Sequence, residues 1–274
     1  MPGGRLSAGI TKGPVMAEPT GSEPRRGGLS SSHRRVVLVS GGTRGIGREI
    51  VHAFAARGLD VAFTYRSRPD LAESVTREAE TYGVACVSAE SDAAADDPAR
   101  FVETIIDRFG RLDSVVVNAG IWRGGPIREL PEDQWWQVVN TNLGGAYRLA
   151  RAVVPYISKS PSGSIVFVSS VVGITGFPGD TAYSSSKAAL TGLGRSLAKE
   201  LARAGTRVNV LAPGFVESDM TAAIPARARE RIHRETLLRR YGEGSEVASA
   251  AVFLSEDATF TTGTVLTVDG GFTL

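Results

Sequence analysis

Hydrophobic and polar positions follow two alternating periods from Arg35 to the end of the chain. Short runs rich in β-branched residues each precede a longer segment whose apolar residues recur at helical spacing. The first four runs are RVVLVS, VAFTY, VACVS and SVVVNAG. Strands that alternate with helices in this way predict right-handed crossovers and a parallel sheet with helices on both faces. The pattern therefore predicts a single doubly wound α/β domain of about seven strands over residues 34–274.

The second half of the chain continues this alternation around a central stretch at 164–187. The periodicity predicts a long helix over 132–159, a strand SIVFVSS, a loop through GITGFPGD and a helix over 181–204. A strand over 206–213, a helix over 245–256 and a strand over 264–271 complete the pattern. Residues 214–244 are charged and interrupted by proline, which predicts short helices at most. They could be a lid over a cleft or a solvated surface excursion.

Residues 1–33 differ in composition from the rest of the chain. They are rich in Gly, Pro and Ser and have no sustained periodicity, which predicts a disordered N-terminal extension. The apolar core that a secretory signal needs is missing from them. Because the remaining residues follow one continuous pattern, we expect no second domain.

Charge and cysteine usage narrow the function classes. The formal net charge of +2 over 274 residues indicates no nucleic-acid partner, and no apolar run approaches the roughly 18 residues of a membrane helix. Cys86 is the single cysteine, which excludes an intrachain disulfide and fits a cytoplasmic location. Its apolar surroundings indicate a buried strand residue. His33, His52 and His233 share no ligand spacing, so we expect no metal site.

The glycine-rich run SGGTRGIG at 40–47 directly follows the first strand and opens the first helix. In this position Gly41 permits a tight turn, Gly45 lets a pyrophosphate approach the backbone, and Gly47 permits close helix packing. The helix N-terminus offers amide donors and a positive dipole end to phosphates. The run therefore predicts a dinucleotide site, against the alternative of a plain strand-to-helix turn.

The choice of dinucleotide depends on the end of the second strand. A carboxylate there binds a free ribose hydroxyl, whereas an arginine pairs with a 2′-phosphate. Asp60 precedes this strand, and the position after VAFTY is Arg66. Arg44 lies in the glycine loop, so two guanidinium groups can face the adenosine end. We therefore expect NADP(H) rather than NAD(H), with ordinary surface charges as the alternative.

Tyr183 and Lys187 lie four residues apart at the start of a predicted helix, so they project from one face. Ser170 lies at the carboxyl end of the preceding strand, where open α/β sheets bind ligands. A hydroxyl, a phenol and an ammonium can therefore converge. The ordinary pKa of a phenol is about 10, and a nearby ammonium favours its anion, which suits acid–base chemistry. The spacing alone also occurs by chance on exposed helices.

The order of these motifs is informative beyond each one alone. With the glycine loop, NAG at 118–120, Asn142, the Ser170–Tyr183–Lys187 set and Pro213-Gly214, the chain resembles the short-chain dehydrogenase/reductase family over residues 35–274. Within that family, NVLAPGFVESDMT and the ending TVLTVDGG look most like the 3-oxoacyl-[acyl-carrier-protein] reductases. The resemblance implies a Rossmann-type sheet.

The resemblance also implies catalytic roles. Tyr183 would be the acid/base, and Lys187 would lower the pKa of Tyr183 and hold the nicotinamide ribose. Ser170 would donate a hydrogen bond to the substrate carbonyl, and Asn142 would hold a water in a proton relay. Each has a simpler alternative: Ser170 could be a strand-end hydroxyl, and Asn142 could bond to backbone within the long helix.

Cofactor contacts follow from the same resemblance. Asp92 matches the family's adenine-contacting aspartate, although it could instead be a helix cap, and Asn118 matches its asparagine near the adenosine ribose. Val216 and Ser218 lie where the family contacts the nicotinamide carboxamide. The full set implied is Gly41, Thr43, Arg44, Gly45, Ile46, Gly47, Arg66, Asp92, Asn118, Ala119, Gly120, Tyr183, Lys187, Pro213, Gly214, Val216 and Ser218.

The activity implied is NADPH-dependent reduction of a 3-oxoacyl thioester on an acyl carrier protein, in fatty acid or polyketide assembly. Pro161 and Ala204 replace arginines of the family's carrier-docking surface, although Lys159 and Arg203 lie nearby. This leaves open a dehydrogenase of a free alcohol, sugar, steroid or other small ketone. A silent dinucleotide-binding regulator is the third class. The family's assembly and the apolar helices over 132–159 and 181–204 imply a homotetramer.

Overall fold

The computed structural model describes residues 34–222 and 224–274, which build one seven-stranded parallel sheet. The strands lie in the order β3-β2-β1-β4-β5-β6-β7, which is the Rossmann order and confirms the predicted fold class. Their bounds are β1 Val36–Ser40, β2 Asp60–Tyr65, β3 Cys86–Glu90, β4 Ser114–Val117, β5 Ser164–Val168, β6 Arg207–Pro213 and β7 Val265–Val268.

Helices connect successive strands and cover the sheet. They are α1 Gly45–Ala56, α2 Pro69–Glu80, α3 Ala99–Phe109, α4 Glu132–Val139, α5 Gly145–Ile157, α6 Val172–Thr175, α7 Thr181–Leu201, α8 Asp219–Ala222, α9 Ala226–Glu235 and α10 Gly244–Val252. Two π-helical segments, Asn140–Gly144 and Phe253–Asp257, and a 3₁₀ turn, Ala202–Ala204, extend them. The predicted extension over residues 1–33 lies outside the described residues.

Both faces of the central strands are buried, as a doubly wound sheet requires. Along β1, Val37 and Val39 pack into one apolar cluster, and Val36 and Leu38 pack into the other. Successive strand residues point to opposite faces, so a strand covered on both sides reads as a continuous apolar run. Cys86 is buried in the first cluster, and burial raises the pKa of its thiol to about 12. It is therefore the inert strand residue that the sequence predicts.

The predicted helix over 132–159 is correct in extent but not in regularity. It divides into α4 and α5 at the π-helical segment, where the Gly145 amide bonds to the Asn140 carbonyl oxygen, and it ends at Ile157. A π segment inserts one residue into the helical repeat, and apolar periodicity cannot reveal it.

Short helices occupy part of the segment over 214–244, as predicted: α8 has four residues, and α9 makes nearly three turns after Pro225. Its i,i+4 ion pairs, Arg231 with Glu235 and Arg234 with Glu230, favour a helix of this length. β5 ends at Val168, two residues before the predicted end, and the α6 turn occupies part of the predicted loop.

Along residues 34–222 and 224–274, no helix has both the length and the apolar surface needed to cross a membrane. Within those ranges, His, Cys, Asp and Glu side chains do not assemble in groups of three or more that could hold a metal ion.

A buried carboxylate joins three elements at the amino edge of the sheet. Asp113 is fully buried and accepts hydrogen bonds from the Val36 amide at 2.9 Å, the Ser160 hydroxyl at 2.6 Å and Arg111 at 2.7 and 2.8 Å. Burial alone would raise the pKa of Asp113, but these donors outweigh it and hold the pKa below its ordinary value. The stabilisation is present above the unfolded pKa and is lost as the pH falls through the folded one.

Replacing Asp113 with alanine leaves the partly buried Arg111 and two further donors without their acceptor. We expect Asp113→Ala to lower the free energy of unfolding by about 3 kcal/mol in urea titrations at pH 7. The control Asp107→Ala removes an exposed aspartate of α3 and should stay within about 0.5 kcal/mol of wild type. Equal losses in the two variants would show that the buried carboxylate does not join the elements as described.

Candidate active site

The glycine loop lies at the carboxyl edge of the sheet, between β1 and α1. Gly41 has φ +71° and Gly45 has φ +51°, a region that favours glycine. A Cβ at Gly47 would lie 1.9 Å from the Gly41 carbonyl oxygen, so the helix can pack this closely only without a side chain. Arg44 is extended and, within the described residues, no side chain caps α1. The first-turn amides of α1 are therefore available to a phosphate.

Four hydrogen bonds hold the glycine loop against the end of β4. The Asn118 side-chain amide donates to the Ser40 and Gly41 carbonyl oxygens, both at 3.1 Å. The Ser40 hydroxyl accepts from the Asn118 and Ala119 amides, both at 3.0 Å. Sequence reasoning missed this role of Ser40, although a hydroxyl at the end of β1 was the available signal. The Asn118 side chain thus orders the loop, and its predicted place near a ribose stays a prediction.

Arg66 and Arg44 lie where the sequence places them. Arg66 directly follows β2, is exposed, and has no ion-pair partner among the residues that the structure describes. Arg44 is exposed and lies 3.8 Å from Asp219. Asp60 is the first residue of β2 rather than the residue before it, and its buried side chain accepts from the Ala85 amide at 2.8 Å. It remains at the far end of the strand from Arg66.

Other predicted cofactor residues have local structural partners. The Asp92 carboxylate accepts from the Ala94 amide at 2.8 Å, so it closes a turn after β3 rather than capping a helix. Thr43 is buried, and Ile46 packs against the core. Asp92 therefore lies two residues beyond the carboxyl end of β3, and its contact with an adenine stays a prediction.

Ser170, Tyr183 and Lys187 come together as predicted. Ser170 lies two residues beyond β5, and Tyr183 lies in the first turn of α7, where the Ser170 hydroxyl is near enough to lower the pKa of the phenol. Lys187 is one turn further along the same helix and is buried. Its Nζ lies 5.6 Å from the centroid of the Tyr183 ring. A hydroxyl, a phenol and an amine therefore share one pocket wall.

Two bonds to β5 and the residue after it fix the start of α7. The Lys187 Nζ donates to the Val168 carbonyl oxygen at 2.7 Å, and the Ser169 hydroxyl donates to the Lys187 carbonyl oxygen at 2.7 Å. Ser169 is buried and was missed by sequence reasoning, which treated it as part of a strand. These bonds set the distance and rotation of α7 relative to the sheet.

The pKa of Tyr183 is shifted in the direction opposite to the sequence-based expectation. Burial, assisted by the negative charge of Asp180, raises the pKa of Tyr183 to about 12, against the opposing influence of the Ser170 hydroxyl. Burial also lowers the pKa of Lys187 to about 8. Burial disfavours a charge on either group. The attraction of the Lys187 ammonium for a Tyr183 phenolate therefore does not outweigh the cost of burying the phenolate. Near neutral pH the phenol is protonated and is a proton donor.

Asn142 occupies the π-helical segment between α4 and α5 and is buried. Its side chain accepts from the Ile121 amide at 2.8 Å and donates to the Ile121 carbonyl and the Ser186 hydroxyl, both at 3.0 Å. A Cβ at Gly120 would lie 3.1 Å from the Asn142 Oδ1 and 3.5 Å from the Lys187 Nζ. The backbone at 120–121 therefore lies against both residues, and the Asn142 side chain bonds to backbone outside the long helix rather than within it.

The segment after β6 completes the cleft. The Val171 amide donates to the Pro213 carbonyl oxygen, and the Gly214 amide donates to that of Val268, both at 2.9 Å. Val216 is buried, and its carbonyl oxygen accepts from the Thr221 hydroxyl at 2.6 Å.

This segment also approaches the glycine loop. A Cβ at Gly45 would lie 3.8 Å from the Cβ of Ser218. The open backbone at Gly45, the uncapped α1 amides and the lysine beside Gly120 together fit an extended dinucleotide along this edge.

Comparison with known proteins agrees with this geometry. A family model described as "Enoyl-(Acyl carrier protein) reductase" matches residues 41–273. A 3-oxoacyl-[acyl-carrier-protein] reductase of Staphylococcus aureus is 37% identical over 85% of this chain and 96% of its own length. One from Thermotoga maritima is 39% identical over 88% of this chain and 98% of its own.

Solved structures give the same assignment. A short-chain dehydrogenase/reductase from Serratia marcescens superposes with a TM-score of 0.82 at 31% identity, covering 88% of this chain and 98% of that one. A short-chain type dehydrogenase/reductase from Mycobacterium ulcerans gives 0.83 at 32% identity, covering 87% and 89%. Sequence and structure therefore agree that the chain belongs to the short-chain dehydrogenase/reductase family of oxidoreductases.

Proposed function

We propose that this enzyme reduces the 3-oxo group of an acyl thioester, carried by an acyl carrier protein, to the 3-hydroxy form with NADPH. The observation that carries the proposal is the placement of Ser170 and Tyr183 together beside the buried Lys187, whose Nζ lies 5.6 Å from the centroid of the Tyr183 ring. Two hydroxyls that meet at one point suit a carbonyl oxygen on which negative charge develops. The relatives named as 3-oxoacyl-[acyl-carrier-protein] reductases supply the substrate class.

The chain's own residues would bind the carbonyl and supply the proton. The Ser170 and Tyr183 hydroxyls donate to the 3-oxo oxygen, which orients the carbonyl carbon. The reduced nicotinamide, when bound, supplies the hydride to that carbon. Tyr183, protonated near neutral pH, transfers its proton to the developing alkoxide, which completes the alcohol. Lys187, with a pKa of about 8, stabilises the phenolate left on Tyr183, and Asn142 holds the water that returns the proton.

The preference for NADPH rests on the two arginines at the adenosine end. Arg66 is exposed after β2 and Arg44 is exposed before α1, so both can reach a 2′-phosphate. No carboxylate occupies the position after β2, where a ribose hydroxyl would otherwise be bound. The remaining predicted contacts, from Gly41 to Ser218 along the carboxyl edge, would hold the rest of the dinucleotide.

A free ketone is the second candidate substrate, and a specific observation favours it. Pro161 and Ala204 are exposed where arginines were expected for carrier docking. Lys159 and Arg203 are exposed beside them, and in our proposal they take over the contact with the carrier. A silent regulator is the weakest candidate, because simple dinucleotide binding has no need of Ser170 and Tyr183 together.

A homotetramer in the cytoplasm completes the proposal. The outer face of α5 exposes Tyr147, and β7 is an edge strand with partly exposed side chains, so both can pair with another copy. Cys86 is free and buried, in keeping with a reducing compartment.

A substrate panel tests the proposed reaction. We expect kcat/KM for 3-oxoacyl thioesters on a carrier protein to exceed that for free ketones by about tenfold or more, because binding of the carrier and acyl chain adds to binding of the carbonyl. A 2-enoyl thioester is the matched control and should not react, since it offers no oxygen at C3 to Ser170 and Tyr183. Turnover of free ketones alone would refute the carrier-linked function and favour the second candidate.

Cofactor preference gives a separate test. We expect Arg66→Ala to raise KM for NADPH about tenfold and to leave KM for NADH unchanged, because one charge-assisted contact with the 2′-phosphate is lost. Arg68→Ala is the control, since Arg68 is also exposed but pairs with Asp70 at 2.7 Å. A wild-type enzyme that uses NADH at least as well as NADPH would contradict the assignment.

A further inference from the structure

A side-chain pair joins the two loops that border the catalytic cleft. Trp122 follows the NAG segment after β4, and Asp180 directly precedes α7. The Trp122 indole Nε1 donates to the Asp180 Oδ1 at 2.8 Å. Beside it, the Gly125 amide donates to the Gly179 carbonyl oxygen at 2.9 Å. The loops over 121–125 and 176–180 are therefore linked by one side-chain bond and one backbone bond.

The sequence around Trp122 is adapted to this contact. A Cβ at Gly124 would lie 2.4 Å from Cζ2 of the indole and 3.2 Å from the Asp180 Oδ1. Any side chain at 124 would displace the ring or block the carboxylate. The indole can therefore fold back over its own chain only because residue 124 is glycine.

The Asp180 side chain bonds to Trp122 instead of capping the helix that follows it. It occupies the N-cap position of α7, where an aspartate ordinarily accepts a hydrogen bond from the first turn. In the described chain its side chain caps no helix amide and accepts from Trp122 instead. Burial raises the pKa of Asp180, and the Trp122 hydrogen bond opposes that rise, so the indole favours the charged carboxylate.

The carboxylate lies three residues before Tyr183 and acts on it electrostatically. The polar groups around Tyr183 are Ser170 beyond the end of β5, Lys187 one turn further along α7, and Asp180 at the N-cap of the same helix, three residues before the phenol. Burial is the main cause of the raised Tyr183 pKa, and the negative charge of Asp180 is the second. A phenolate beside a carboxylate is disfavoured by like-charge repulsion.

We propose that Trp122 and Asp180 are positioning residues for Tyr183: the indole N–H holds the carboxylate at the start of the helix that carries the phenol, and it links the loops over 121–125 and 176–180. The negative charge of Asp180 raises the pKa of Tyr183, so the phenol loses its proton only at a higher pH than it would without the pair. In the reverse direction the phenol must first lose its proton, and the carboxylate opposes that loss. This inference rests on the proposed function, since it assigns the pair to the Tyr183 proton transfer.

The pH dependence of the reverse reaction tests the electrostatic part. We expect Asp180→Asn to shift the pH–rate profile of 3-hydroxyacyl thioester oxidation. Its rising limb should move to lower pH by about one unit, because one negative charge near the phenol is removed. Asp107→Asn, an exposed aspartate of α3, is the control and should leave the limb in place. A limb that stays in place in Asp180→Asn would overturn the proposal.

Trp122→Phe keeps the ring and removes only the N–H. We expect the rising limb of the Trp122→Phe pH–rate profile to move in the same direction as that of Asp180→Asn. The KM for the thioester should rise, and the KM for NADPH should stay unchanged. Trp136→Phe is the matched control, because Trp136 is exposed on α4 and its N–H bonds to Glu132 at 3.3 Å. A change in thioester KM without any movement of the limb would assign Trp122 to substrate contact and refute its role toward Tyr183.

Amide hydrogen exchange tests the loop contact without turnover. In Trp122→Phe we expect exchange at the Gly125 amide and across 176–180 to be about tenfold faster than in wild type or Trp136→Phe. Unchanged exchange would overturn the pairing whether or not thioesters are reduced. Faster exchange in a protein that turns over no thioester or ketone would refute the proposed function and uphold the loop contact.

Discussion

The bond between the buried Lys187 amine and the Val168 carbonyl oxygen is the contact on which the catalytic site depends. An amine removed from water needs a compensating acceptor, and the carbonyl that ends β5 provides one. Burial lowers the Lys187 pKa from 10.5 to about 8, which means that it disfavours the charged amine relative to the neutral amine by about 3 kcal/mol. The Ser169 hydroxyl adds a second bond to the same residue. Because both bonds reach the end of β5, the first turn of α7 cannot rotate or slide, and Tyr183 is held beside Ser170.

The same principle recurs along the carboxyl edge of the sheet. Side chains at the ends of strands bond to the backbone of a neighbouring loop: Ser40 and Asn118 between β1 and β4, and Asn142 to residue 121. These bonds satisfy polar backbone groups that leave the sheet ladder, and they fix the loops that would contact a cofactor. Trp122 and Asp180 continue the series outward to the substrate side. The loops at this edge are therefore held by side-chain hydrogen bonds in addition to apolar packing.

The sequence predicted most of the fold and the central site because both follow from local patterns. Alternating strands and helices specify a parallel sheet, and the carboxyl end of one strand with the start of the next helix places Ser170, Tyr183 and Lys187 together. Arg66 was placed correctly because it directly follows an unambiguous apolar strand. These inferences needed no knowledge of contacts distant in sequence.

The features that sequence reasoning missed depend on contacts distant in sequence, on burial, or on a local backbone shift that leaves the apolar pattern unchanged. The π-helical segment at Asn142 shifts the helical repeat by one residue and leaves the apolar pattern unchanged. Ser169 and Asp113 are ordinary polar residues until their partners in space are known. The direction of the Tyr183 pKa was wrong because a nearby ammonium was weighed without the burial that weakens the charge on both groups.

The central claim is that Tyr183 supplies the proton that completes carbonyl reduction, and a single-turnover measurement tests it most directly. The rate of NADPH consumption with saturating 3-oxoacyl thioester should fall by about a hundredfold or more in Tyr183→Phe. It should be unchanged in Tyr82→Phe, which removes an exposed phenol at the end of α2. A Tyr183→Phe rate equal to that of wild type would contradict the account.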